Sequence, residues 1–315
     1  MRLTLVFVFI LAVAIGAYVA ITGYFLAKTA TGLLTVGAIA STITTATPPD
    51  DPLSLGYRGT PMVALSLPFE TVVVETALGP AEAWLVPAAG PVVGHALYVH
   101  GIAGAREDGY RHLSQLHAAG WTVLLISYRN DPGAPATPDG RYGFGLTEWP
   151  DLEAALLALT GPDGPRVLVV ADSMGGAILG QFLQQSQYAG LVKAVALDSP
   201  ALSFSSVLAH LARDSGNPLP TPMAWAAVRI LPQITGLPLD TAEVASVYAD
   251  FPGPLFIAHG TGDRIVPITP SEDLAATRSA PTSPFWTGAD HLGSYAENPE
   301  AYRAAFSAFL SGIEG

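Results

Sequence analysis

The chain contains no cysteine. Disulfides, thiolate metal sites and a cysteine nucleophile are therefore excluded, and the redox compartment is left open. Charge is also scarce: only 13% of the 315 residues are Asp, Glu, Lys or Arg, with 14 basic against 26 acidic side chains and a formal net charge of −12. No two basic residues are adjacent. That balance disfavours nucleic acid and anionic lipid surfaces as partners. There is no H-E-x-x-H, and His112 and His117 stand five apart, the wrong spacing for one metal-binding helix face, so no metal and no cofactor are expected. No internal repeat is apparent.

What is abundant is apolar. Half the residues are hydrophobic and the mean hydropathy is +0.39. Residues 3–26 carry no charge between Arg2 and Lys28. At ~1.5 Å per residue they reach roughly 36 Å, enough to cross a ~30 Å hydrocarbon layer. Residues 1–28 therefore read as a transmembrane anchor whose partner is the lipid bilayer. The rival is a secretory signal, whose apolar region runs only ~7–15 residues, although Ala38-Ile39-Ala40 resembles a late cleavage site. Arg2 against Lys28 specifies orientation weakly, and the favoured reading puts the main domain outside the cytoplasm. Residues 29–67, rich in Thr, Ala, Gly and Pro, read as a tether, with 33–40 as a short membrane-associated piece.

From residue 68 the pattern turns regular. Segments 71–76 and 83–86 flank Leu78-Gly79-Pro80 as a hairpin. Short valine-rich and leucine-rich runs then alternate with helix-periodic stretches, which predicts an α/β fold with a mostly parallel sheet and helices on both faces. The core is expected at 68–200 and 253–315, interrupted by an inserted helical cap over 201–252. In such sheets ligands bind at the carboxyl ends of the strands. The residues there are His100-Gly101-Ile102, Tyr128-Arg129, Ser173, Asp198-Ser199, Asp263 and His291.

One bend stands out. Val167-Leu168-Val169-Val170 is a strand buried on both faces; Ala171-Asp172-Ser173-Met174-Gly175 turns sharply, and a helical run follows. A serine there is held in a strained strand-to-helix turn with its hydroxyl above the sheet. Serine needs a base, usually an imidazole oriented by a carboxylate. Ser173, Asp263 and His291 each follow a predicted strand, in the chain order that this topology expects. The rivals are bland: His100 fixes its loop, His259 packs, Asp290 caps or solvates its loop, and Asp198 is a second candidate acid. The loop 128–131 is placed either for substrate contact or for pairing with itself.

Together HGIAGAREDGYRHL, LLISYRNDPGAP, GRYGFGLTEWPDLEAAL, SMGGA, HGTGDRIVP and GADHLGSYAENP resemble the α/β-hydrolases over residues 68–312, in particular membrane-anchored actinobacterial-type enzymes of the Bem46 and prolyl-oligopeptidase-like branch. The resemblance implies an α/β-hydrolase fold, nucleophile Ser173, acid Asp263, base His291, and an oxyanion hole from the backbone N–H groups of Met174 and Ile102. It also implies a serine esterase acting on a small-molecule or lipid-like ester. Relatives commonly carry glycine and an aromatic where this chain has Ala171-Asp172. The Asp172 carboxylate beside the nucleophile motivates the alternative of a hydrolase-like scaffold with weak or no turnover; a peptidase or acyltransferase sharing the site is a further alternative.

Overall fold

The computed structural model describes residues 1–38 and 47–313. Helix α1 (Arg2–Leu33) is followed by a short α2 (Pro61–Leu65), capped by Thr60, whose Oγ1 accepts from the Val63 N–H. The hairpin β1 (Glu70–Thr76) and β2 (Gly79–Val86) comes next, then β3 (Gly94–Val99), α3 (Tyr110–Ala118), β4 (Trp121–Ile126) and α4 (Trp149–Thr160). The central units are β5 (Val167–Asp172), α5 (Met174–Gln185) and β6 (Val192–Asp198). The insertion forms α6 (Phe204–Asp214), α7 (Pro220–Thr235) and α8 (Ala245–Asp250). The chain closes with β7 (Leu255–Gly260), α9 (Thr269–Thr277), β8 (Thr282–Thr287), α10 (Ser294–Glu297) and α11 (Pro299–Ile313).

The eight strands form one sheet in the order β1-β2-β4-β3-β5-β6-β7-β8, antiparallel at β1/β2 and β2/β4 and parallel elsewhere. Side chains alternate across a strand, so the odd positions Val167, Val169 and Ala171 join one apolar cluster and the even Leu168 and Val170 the other. The first cluster lies under α4, α5 and the cap; the second lies under α3 and α11. Burial on both faces is why β5 tolerates no polar residue before Asp172.

The amino-terminal region departs from the expected boundaries. Residues 1–18 are exposed, and α1 runs past residue 28 to Leu33, burying Gly23, Leu26, Ala27 and Ala30. A Cβ on Gly23 would fall 2.6 Å from the Cβ of Ala226, so glycine is what lets α1 lie directly on α7. Residues 34–36 are tied to the domain: Val36 N–H donates to Gly140 O, and Leu34 O accepts from Tyr142 N–H. Nor is 53–67 a free tether, since Leu53, Tyr57, Leu65 and Leu67 pack against the core. Ile39 and Ala40 of the cleavage-like triplet lie outside the described residues.

Candidate active site

The turn after β5 holds Ser173 at φ 50°, ψ −118°, a left-handed conformation that costs a non-glycine residue energy. The bend is anchored by the Ser173 N–H donating to Asp198 O at 2.9 Å. A Cβ at position 175 would stand 2.4 Å from Val99 O, so Gly175 is obligatory. Ala171, by contrast, sits buried within β5, where its methyl is accommodated. Ala103, Ser199 and Leu292, each next to or near a residue of this site, also have positive φ, as do Ser66, Asn130 and Phe144 elsewhere.

The structure brings three of the expected residues into hydrogen-bond sequence. His291 Nε2 lies 2.9 Å from Ser173 Oγ, and its Nδ1 lies 2.7 Å from Asp263 Oδ2. Burial pushes the Asp263 carboxyl up, but hydrogen bonds from His259 and His291 and from the Val266 N–H outweigh it and hold the group well below the usual carboxylate range. An ionised carboxylate can only accept. Nδ1 of His291 therefore carries the proton, and Nε2 is left to accept from the serine hydroxyl. Asp263 Oδ1 is itself fixed by the N–H groups of Ile265 and Val266 at 2.9 and 2.8 Å. In front of Ser173 lies a cavity of about 610 Å³ with an apolar wall from Leu55, Ile102, Leu211 and Ile265 and with Arg58 and Arg264 on its rim. Leu211 comes from the cap.

No family model matches the chain. An uncharacterised protein of Mycobacterium tuberculosis is 32% identical over 218 residues, 67% of either chain. The uncharacterised YfhR protein of Salmonella typhimurium is 27% identical over 247 residues, 72% of this chain and 76% of that one. Among solved structures, a Pyrococcus furiosus esterase superposes with TM-score 0.64 at 19% identity over 85% of this chain and 97% of its own. A membrane phospholipase A does so with TM-score 0.59 at 17% identity over 100% and 99%. The chain belongs with the uncharacterised mycobacterial protein and has the α/β-hydrolase fold.

The other candidates in this α/β-hydrolase fold are absorbed by its scaffold. Asp172 turns its carboxylate inward: Oδ2 accepts from Tyr98 Oη at 2.6 Å and from Arg111 Nη2 at 2.8 Å, and Oδ1 lies 3.3 Å from His112 Nε2. Asp198 shares the same guanidinium at 3.4 Å and accepts from Tyr302 Oη at 3.1 Å, with no contact to His291. Burial acts to raise both acids. Arg111, His112 and Tyr98 bring Asp172 below its ordinary value, whereas Asp198, more weakly held and beside Asp172, stays raised. His112, Asp172 and Asp198 are the one described cluster with metal-ligand spacing, and Arg111 already supplies its cation.

Asp290 pairs with exposed Arg264 and accepts the His291 N–H at 2.8 Å, which orients the loop that carries the imidazole. In the 128–131 loop, Arg129 forms a bidentate pair with buried Asp151, so that loop pairs inside the protein and does not reach the cavity. His259, expected only to pack, donates from Nε2 to Asp263 Oδ2 at 3.1 Å and accepts at Nδ1 from Ser271 Oγ at 2.8 Å. Its four-residue spacing from Asp263 across the strand end was the available signal.

His100 fixes the loop that bears Ile102. Both its ring nitrogens face acceptors: Nδ1 the carbonyl of Gly101, and Nε2 the carboxylate of Asp131, each at 2.8 Å. Burial acts to lower its pKa, but Asp131 and the Gly101 carbonyl raise it above the ordinary imidazole value. A raised imidazole contributes stability that is fully present below its unfolded value, ~6.5, and is lost as pH rises through the folded one. Thermal melts across neutral to alkaline pH should show that loss in the wild type, and Asp131→Asn should flatten it. An unchanged slope in the variant would refute the pairing.

Proposed function

We propose that the protein is a membrane-anchored serine hydrolase that cleaves carboxylic esters through an acyl-enzyme. The observation that carries this reading is the unbroken relay from Ser173 Oγ through His291 to Asp263. Ser173 attacks the ester carbonyl as His291 Nε2 takes its proton; the Asp263 carboxylate stabilises the imidazolium without taking a proton. The backbone N–H groups of Met174 and Ile102 then receive the tetrahedral oxyanion. Met174 opens α5, so its N–H has no acceptor within the helix. Collapse expels the alcohol, which takes the proton back from Nε2. Water then enters, gives a proton to His291 and releases the acid, restoring Ser173.

The cavity volume and its apolar wall suit an acyl chain better than a peptide, and the two arginines in its lining are already paired with Asp108 and Asp290. The anchor is α1, an N-terminal helix long and apolar enough to cross a membrane. The likeness to a membrane phospholipase A along the full chain is consistent with that placement. The inward-turned Asp172 removes the feature that favoured an inactive scaffold. A fluorophosphonate probe should label the wild-type protein at Ser173, with the adduct located by peptide mass spectrometry. Absence of labelling in folded protein would reject the enzyme and favour a non-catalytic binding role.

A further inference from the structure

The cap meets α1 too early for the two to occupy separate phases. A hydrocarbon layer of ~30 Å takes about 20 residues at ~1.5 Å each, so a span beginning at Leu3 leaves that layer near Thr22. Contacts with the cap begin before that. Gly16, Val19 and Ala20 face Pro222, Trp225 and Ala226 across an apolar groove of about 550 Å³, and Tyr18 Oη donates to Asn217 Oδ1 at 3.0 Å. Further along, Gly23 sits against Ala226 and Ala227. Contacts advance in the same direction on both helices, so the first turn of α7 points toward the amino end of α1. That turn overlaps the part of α1 that belongs inside or at the edge of the lipid.

The side chains there are arranged as a boundary. Pro220 and Pro222 open α7 without charge of their own, with Arg213 and Asp214 at the end of α6 across the preceding loop, and Trp225 follows at 56% exposed. Arg229, one turn farther from the tip, lays its guanidinium 4.0 Å from the Trp225 ring. On α1 the same order recurs, with Tyr24 followed one turn later by Lys28, its Nζ 6.0 Å from that ring. Aromatic rings at the boundary with cations on the watery side are what a bilayer edge selects.

We propose that the tip of α7 is inserted in the same bilayer leaflet that α1 leaves, with Trp225 at the headgroup boundary and a phospholipid acyl chain lying in the groove between the two helices. The cap is then a second membrane contact. The proposal rests on α1 spanning the membrane, as read above, and not on the ester chemistry.

The test uses the full chain in phosphatidylcholine vesicles and in matched vesicles whose acyl chains carry bromine near the headgroup end or near the methyl end. Tryptophan fluorescence should be quenched more by the headgroup-end label, and Trp225→Phe should remove most of that difference. A phosphatidylcholine with a mid-chain diazirine should crosslink to the peptide containing Thr221 and Trp225. If the protein floats with vesicles but Trp225→Phe leaves the quenching unchanged, the cap contact is wrong while the span stands. Failure to float rejects the span and the proposal together. A crosslink between two copies of the chain through the Gly16 face, in place of lipid, would assign the groove to a second copy and overturn the lipid.

Discussion

Ser173→Ala and His291→Ala should each lower turnover of a short soluble ester by on the order of 10⁶-fold, and the double variant should fall little further, because a nucleophile and its base act as one unit. Each half of the relay is useless without the other: Ser173 Oγ has Nε2 of His291 at 2.9 Å as its base, and that nitrogen has no other hydrogen-bonding partner among the described residues. Asp263→Asn should cost less, on the order of 10⁴-fold, since the imidazole keeps some productive orientation when only its acceptor is altered. Steady-state rates normalised to folded protein would decide it. Losses from the two single variants that multiply in the double variant, or full fluorophosphonate labelling of Ser173→Ala, would remove Ser173 from the role.

The second large effect is on stability. Arg111→Met leaves Asp172 and Asp198, both fully buried at the ends of β5 and β6, without the cation they share. Removing one partner from a buried ionic group typically costs about 3–5 kcal/mol, because the remaining charge is stranded out of water. Denaturant unfolding should show a loss of that size. Adding Asp172→Asn to Arg111→Met should recover part of it by removing one of the stranded charges. The same substitution should also disturb the nucleophile, because Ser173 is anchored by a hydrogen bond from its N–H to the Asp198 carbonyl. A loss under about 1 kcal/mol would mean that the cluster is held by its tyrosines instead.

The parts of this site that were legible in the sequence are those with a local signature. Ser173 sits in a strand-turn-helix pattern with small neighbours, and Asp263 and His291 follow strands after short glycine-containing turns, so alternation alone placed all three at one edge of the sheet. The buried network was not legible, since Arg111 meets acids 61 and 87 positions away and nothing local marks such a pairing. It also reversed the meaning of Asp172, which looked like a perturbation of the nucleophile and is part of its foundation. The extent of α1 was misread for a related reason. An apolar helix is apolar whether lipid or protein covers it, and only contacts such as those of Tyr18 with Asn217 and Gly23 with Ala226 show which part of α1 the protein covers. Leu53 and Tyr57 were hidden in a Pro-rich and Gly-rich stretch whose composition suggests a linker.

The glycine notch on α1 has a practical cost for anyone seeking a water-soluble form of the protein. Trimming the chain ahead of residue 47 would take away the backing of α7 and uncover the flank that now lies against Gly23, Leu26, Ala27 and Ala30. Leu211 over the cavity belongs to α6, which packs on α7, so the trimmed protein would lose definition at its cavity wall as well as gaining a sticky side. Purification in detergent or lipid discs with the amino-terminal helix retained keeps both intact.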